Sequence, residues 1–140
     1  MSRNKKLKRI LEQMKEKYYK NIKSEDEYID WMGYKIDEEN YPTYHHIVKA
    51  SVIRSNSDYY VDNFSNGAYL GTQSHSVLHF IEQLDKNIYD DWNEIFRKIN
   101  KSRCYPSQEI LNEIRLLQDR SREIIDNCNF KLTKVKKKKK

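Results

Sequence analysis

All four histidines of this chain lie within one stretch of 35 residues. His45 and His46 are adjacent, whereas His75 and His79 are four residues apart in a segment with helical spacing of apolar residues. Histidine is the commonest metal ligand and a frequent general base near neutral pH. Histidines that served only as surface residues would be spread along the chain. Their clustering therefore predicts a metal-dependent active site.

The spacing of His75 and His79 places both imidazoles on one face of a helix, one turn apart, where they can chelate one metal ion. A third ligand from an upstream strand would leave positions open for water and substrate, as catalytic metal sites require. Either His45 or His46 could supply it, which would leave the other available as a general base. Neighbours in an ideal strand point to opposite faces. Both can serve one site only if one of them lies at the end of the strand or at a bulge.

A general base also needs a partner that orients its ring through the second nitrogen. The side-chain oxygen of Asn66, nine residues before His75, is suited to hold an imidazole N–H. Asn63 and Asp62 are competing candidates for the same role.

Two predicted strands and a loop carry the first half of this site. Tyr44–Val48 is rich in β-branched and aromatic residues, which favour a strand. Gly67–Gly71 is the predicted partner strand. The polar residues of Arg54–Asn66 predict a connecting loop, which could contain a short strand at Tyr59–Val61.

Helices are predicted before and after these strands from apolar spacing and capping residues. They cover residues 3–23, a short segment from Ser24 to near Gly33, a helix from Thr72 or Ser74 to about Leu84, another that begins at Asp85 or Asn87, and a last one that begins at Ser107. Residues 35–43 are predicted to form a loop, because Pro42 disfavours helix at the residue before it.

The segments HHI, NGAYLG and SHSVLH together resemble the His-Asn-His (HNH) endonuclease motif of the ββα-metal, or His-Me finger, fold. That motif has a His-His-Ile, an Asn that opens the second strand, a His nine residues further on and another four beyond it. The resemblance covers about residues 44–84. It implies an α+β protein in which a ββα-metal core is flanked by N- and C-terminal helices.

The resemblance also implies a role for each residue of the motif. His46 would be the general base that activates water, and Asn66 would orient it. His45, His75 and His79 would hold one divalent metal ion, which could be Zn, Ni, Mg or Mn. The implied activity is metal-dependent hydrolysis of nucleic acid phosphodiester bonds, most often DNA, by an enzyme of the type encoded by phages and other mobile elements.

Several features of the family pattern are missing from this chain. The Pro and Gly-Gly that often follow the His-His-Ile are replaced by VKASVIRSNSD, and there are no CxxC pairs. These differences support an alternative, a catalytically degenerate HNH-fold module that binds nucleic acid or protein. Ordinary surface or core histidines, or a purely structural metal site, are two further interpretations.

Charge is distributed unevenly along the chain, whose net charge is +6. Residues 1–23 carry nine Lys/Arg and two Glu, and residues 131–140 carry seven Lys, so each end has a net charge of +7. Residues 24–130 are acidic overall, with nineteen Asp/Glu against eleven Lys/Arg. We therefore predict a basic N-terminal helix (1–23), a single domain (24–130) and a disordered Lys-rich tail (131–140).

Basic ends of this kind suit a polyanionic partner, which we expect to be double-stranded DNA. The candidate phosphate-binding residues are Lys5, Lys8, Arg9, Lys136, Lys137 and Lys138. An amphipathic helix with a solvated charged face and a solubilising tail are the simpler interpretations of the same two segments.

The remaining composition indicates a cytoplasmic protein that does not associate with a membrane. Cys104 and Cys128 are far apart and predict free thiols in a reducing compartment. No apolar run is long enough for a signal peptide or a membrane span. The apolar positions of residues 107–128 favour core packing, with self-association as a lesser alternative, so the oligomeric state stays open.

Overall fold

A computed structural model describes the backbone of residues 3–48 and 66–138, and the side chains of 5–48 and 66–128. This part of the chain is α+β, as predicted, with four α-helices and one antiparallel pair of strands. In chain order the elements are α1 (Arg3–Tyr18), a 3-10 turn (Glu25–Glu27), β1 (Pro42–His46), β2 (Gly67–Gly71), α2 (Thr72–Leu84), α3 (Lys86–Ser102) and α4 (Gln108–Lys138).

The two strands form a short antiparallel pair in which His45 lies opposite Ala68 and His46 lies opposite Gly67. The predicted bounds of β2 are confirmed, but β1 begins and ends two residues earlier than the predicted Tyr44–Val48. Proline is tolerated as the first residue of a strand, where its missing N–H breaks no ladder bond. At the other end of β1, the N–H and C=O groups of Val48 form hydrogen bonds with the side-chain amide of Asn66 and not with the backbone of β2.

Residues 24–33 were predicted to form a short helix, but beyond the single 3-10 turn they form a tight reversal. The side-chain oxygen Oδ1 of Asp30 accepts hydrogen bonds from the backbone N–H groups of Met32 and Tyr34, both at 3.0 Å. Such local side-chain bonds compete with helix formation. Gly33 completes the turn at φ +87°, a conformation that only glycine adopts without strain.

The helices pack around the strand pair to form one hydrophobic core that includes residues of α1, both strands and all three later helices. Aromatic side chains dominate its centre, which explains how a chain of such low mean hydropathy, −1.03, buries a core. The largest fully buried side chains include Met14, Tyr18, Trp31, Tyr69, Leu78, Trp92, Phe96 and Tyr105.

The predicted helix starts are confirmed for α3 and α4, whereas two helix ends differ from the prediction. Asp85 caps α3 by accepting from two backbone N–H groups, and the Ser107 hydroxyl accepts from the N–H of Ile110 at the start of α4. Helix α1 ends at Tyr18, five residues before its predicted end. The backbone of α4 continues to Lys138, through most of the segment predicted to be a disordered tail.

Among the helices of the described residues, none combines the length and the apolar character that crossing a membrane requires.

Candidate metal centre

The start of α2 is fixed by a residue from outside the helix. The side-chain oxygen of Asn40 accepts hydrogen bonds from the backbone N–H groups of Gln73 at 2.8 Å and Ser74 at 3.2 Å. These are among the N–H groups that a helix leaves without a partner at its first turn. The predicted cap, Thr72 or Ser74, is therefore wrong: the cap position is Gly71, whose side chain gives no hydrogen bond. A Cβ at Gly71 would lie only 2.1 Å from the Asn40 oxygen, so glycine permits this approach.

Asp30 ties the preceding reversal to the same helix start. Its second carboxylate oxygen accepts from the backbone N–H of Gly71 at 2.9 Å, and its carboxylate also bonds the Ser74 side chain. The carboxyl is fully buried, and this burial raises its pKa. Two polar side chains from residues 30–40 thus set where α2 begins relative to β2.

The strand pair and α2 bring His45, His75 and His79 together, as the sequence predicted. One potential ligand nitrogen from each imidazole lies within 4.8 Å of the other two. The ring centroids are 4.8 Å apart for His75 and His79, 5.3 Å for His45 and His75, and 5.8 Å for His45 and His79. His45 comes from β1 and the other two from successive turns of α2. We call these three residues the histidine trio.

His45 is the innermost member of the trio, with only 1% of its surface exposed. Its Nε2–H donates to the side-chain oxygen of Asn93 on α3 across 2.9 Å, because an amide oxygen can only accept. Burial lowers the pKa of His45 from 6.5 to about 3, although the bond to Asn93 opposes part of that effect. The ring is therefore neutral at pH 7, which is the form that binds metal.

His75 is half-buried and has a fixed partner as well. Its Nδ1 lies 3.1 Å from the hydroxyl oxygen of Thr43, and that hydroxyl donates its only proton to the Leu70 carbonyl at 2.8 Å. Nδ1 of His75 must therefore carry the proton and donate it to Thr43. Burial and the neighbouring His79 lower the pKa of His75 to about 4, so this ring is also neutral at pH 7.

His79 is exposed and lies at the solvent side of the trio. Its Nδ1 faces the Glu82 carboxylate at 3.4 Å, one turn further along α2. The trio thus runs from a buried residue to an exposed one, so water or a substrate would reach the site from the His79 side.

The trio fits a divalent transition metal in ligand type and number. Imidazole suits Zn, Ni and similar ions, and three protein ligands are typical of catalytic sites. Tetrahedral coordination at a metal–nitrogen distance of about 2.0–2.1 Å requires ligand nitrogens about 3.3 Å apart. The ligand nitrogens of the trio lie within 4.8 Å of one another. Ring movements of about 1 Å would bring them to the spacing that a metal requires.

The predicted general base, His46, is the last residue of β1. This meets the condition that one of the adjacent histidines lie at a strand end. Its half-buried ring packs edge-on against Tyr44, with centroids 4.8 Å apart. Its charge contributes to the lowered pKa of His45 and His75, so it lies within electrostatic reach of the trio.

Asn66 holds the ends of the two strands together. Its side-chain oxygen accepts from the Val48 N–H at 2.7 Å, its side-chain amide donates to the Val48 carbonyl at 3.0 Å, and its backbone carbonyl accepts from the Ile47 N–H at 2.9 Å. These bonds fix the chain directly after His46. The predicted role of Asn66 as the orienting partner of His46 stays a prediction. Its competitors Asn63 and Asp62 lie outside the described residues.

The predicted phosphate-binding residues lie on the terminal helices. Lys5, Lys8 and Arg9 are exposed on α1, which contacts β1. Lys136, Lys137 and Lys138 belong to the last turn of α4, where only the backbone is described.

Sequence reasoning missed the residues that hold the trio in place, Asn93, Thr43 and Asn40. Asn93 had a readable signal, because it is an amide among the apolar positions of an amphipathic helix, and it is 4% exposed. Thr43 and Asn40 lie in a segment that was predicted to be a loop, where polar residues are common and no signal separates them from their neighbours.

Comparison with known proteins gives no match to any protein-family model, curated protein or solved structure.

Proposed function

We propose that the protein is a metal-dependent endonuclease built on an HNH-type ββα-metal core. The observation that carries the proposal is the histidine trio, drawn from a β1–β2–α2 unit in the order that the ββα-metal motif uses. The adjacent His46, at the end of β1, supports it further.

The chain's own residues would divide the reaction between them. The neutral trio would hold a divalent ion, which when bound stabilises the negative charge that develops on the phosphoryl and leaving oxygens. His46 would take a proton from a water molecule as the water oxygen forms its bond to phosphorus. The bond from phosphorus to the leaving sugar oxygen then breaks, and that oxygen takes up a proton from solvent.

The position of His46 suits this division of roles. It is adjacent to His45 in the chain and is the last residue of β1, so the alternation of an ideal strand does not force the two rings to opposite faces. A base needs to exchange its proton with water, and His46 is only half-buried whereas His45 is fully buried. The more solvated ring is therefore the better base and the buried ring the better ligand.

Nucleic acid binding would depend on the ends of the chain. The middle of the sequence repels phosphates, whereas residues 1–23 and 131–140 attract them. Lysine and arginine that neutralise phosphates release condensed counterions, which supplies most non-specific affinity. This mode of binding predicts a strong dependence on salt concentration.

The direct test is incubation of the purified protein with supercoiled plasmid in separate reactions with Mg, Mn, Ni and Zn. We expect nicking or linearisation that EDTA prevents and that His46→Ala abolishes. The matched control is Tyr41→Phe, which removes the hydroxyl of an exposed tyrosine in the same part of the chain and should cleave like the wild type. Circular dichroism verifies that each variant is folded.

Two negative results would have different meanings. Retention of plasmid without cleavage in every metal, by protein that contains bound metal, would replace the nuclease with the degenerate binding module. Absence of both cleavage and bound metal would show that the trio is not a metal centre.

A further inference from the structure

The histidine trio is surrounded by hydrogen-bond acceptors that lie outside the histidine motif. Each imidazole directs one nitrogen to an oxygen: His45 to Asn93, His75 to Thr43 and His79 to Glu82. A neutral imidazole has one N–H and one lone pair. A nitrogen that donates to an oxygen therefore leaves the other nitrogen as the only possible metal ligand.

We infer that Asn93 and Thr43 are positioning residues that select which nitrogen each ring presents to a metal, Nδ1 for His45 and Nε2 for His75. The inference deepens the proposed function, since it rests on the trio being a metal centre. It adds a residue from α3 to a site otherwise built from β1 and α2.

The two selected nitrogens differ in their distance from the backbone. Nδ1 lies close to the main chain, so a metal bound through it would lie near β1. Nε2 lies at the far end of the ring, so His75 can reach across from α2 to the same point. His45 of β1 would bind through a nitrogen close to its backbone and His75 of α2 through a nitrogen far from its backbone. Both could then reach one ion between β1 and α2.

The acceptors themselves are held in place. The Thr43 hydroxyl cannot donate to Nδ1 of His75, as the other neutral form of the ring would require, without giving up its own bond to the Leu70 carbonyl of β2. Asn93 lies in the core with an exposed fraction of only 4%, on a helix capped by Asp85. Because His45 and Asn93 are both buried, water does not compete readily for Nε2 of His45. Outer partners of this kind orient the ligand and raise its basicity, and their loss typically lowers metal affinity by about 10–100-fold.

The first experiment reads the protonated nitrogen of each histidine directly. In metal-free protein with ¹⁵N-labelled histidine at pH 7.5, long-range ¹H–¹⁵N correlation spectra distinguish the two neutral forms of the ring. We expect the proton on Nε2 of His45 and on Nδ1 of His75. The opposite form at either residue would overturn the assignment, whatever the protein does to DNA.

The second experiment removes each acceptor. Thr43→Val keeps nearly the same side-chain shape and suits a strand, but it removes the oxygen that accepts from His75. In the ¹H–¹⁵N spectra of this variant, the proton of His75 should no longer be confined to Nδ1. Asn93→Leu should lower Zn²⁺ affinity by about 10–100-fold. Asn93→Asp keeps an oxygen acceptor and should restore binding to within about threefold of the wild type.

Asn100 offers a matched control for Asn93. It is another buried asparagine on the same face of α3, and it bonds the Tyr18 hydroxyl and the Gly67 carbonyl, not a histidine. Asn100→Leu should therefore leave Zn²⁺ affinity within about threefold of the wild type. Equal losses in Asn93→Leu and Asn100→Leu would reduce the role of Asn93 to general stability and overturn the inference. If Asn93→Leu does not fold, Thr43→Val and the wild-type spectra decide the question. Absence of nuclease activity would not affect either measurement.

Discussion

Acid should unfold this protein through its buried histidines. His45 has a pKa of about 3 in the folded protein and 6.5 when unfolded. Because the folded pKa is depressed, the unfolded state binds more protons at pH values between these two, so stability is full above pH 6.5 and falls as the pH is lowered. From these pKa values, the loss from His45 amounts to about 1 kcal/mol at pH 5.5 and about 3 kcal/mol at pH 4.5.

His75 should add a smaller loss over the same range. Its pKa is about 4 in the folded protein, but it is only half-buried, so we count about half of the corresponding value to allow for solvent screening. Together the two residues should remove about 4 kcal/mol by pH 4.5, a large share of the roughly 5–15 kcal/mol that stabilises a typical domain.

Urea unfolding in the presence of EDTA, at steps between pH 7.5 and 4.5, measures this dependence. The wild type should lose stability steadily below pH 6.5, and His45→Gln should show a shallower slope whatever its stability at pH 7.5. A urea midpoint that stays constant from pH 7.5 to 5.5, or equal slopes in the two proteins, would refute the assignment of neutral, buried rings.

Two further predictions concern the start of α2 and the basic ends. Asn40→Ala should lower the free energy of unfolding by about 1–2 kcal/mol, because the N–H groups of Gln73 and Ser74 lose their acceptor. Asn40→Asp keeps an oxygen acceptor and should lose less stability. Equal stabilities of the Asn40→Ala variant and the wild type in urea would contradict the capping role. Neutralising Lys5, Lys8 and Arg9 together should reduce the slope of log Kobs against log [salt] for duplex DNA by up to about 2.7, at about 0.9 per phosphate contact. An unchanged slope would exclude phosphate contacts by these three residues of α1.

The parts of the site that could be predicted from the sequence depend on local patterns. The bounds of β2 and the extent of α2 follow from glycines and apolar spacing, and the i, i+4 relation of His75 and His79 is a property of any helix. The convergence of His45 on this pair follows from the order of strand, strand and helix. These features depend only on neighbouring residues or on chain connectivity, so no tertiary contact had to be known.

The remaining features depend on contacts between distant segments. The helix predicted to begin at Ser24 does not continue to Gly33. Asp30 instead accepts from the N–H groups of its own turn and from that of Gly71, forty-one residues away. The cap of α2 comes from Asn40 and the acceptor for His45 from α3, forty-eight residues downstream. No periodicity identifies such partners, because each is defined only once the elements have packed together.

The measurement that tests the metal centre most directly is a calorimetric titration of metal-free protein with Zn²⁺ at pH 7.5. We predict one ion bound per chain, loss of at least about tenfold in affinity for His75→Gln, and unchanged affinity for His46→Gln, since His46 is assigned as the base and not as a ligand. Binding that is absent, or that depends on His46 and not on His75, would contradict the assignment of His45, His75 and His79 as the metal site.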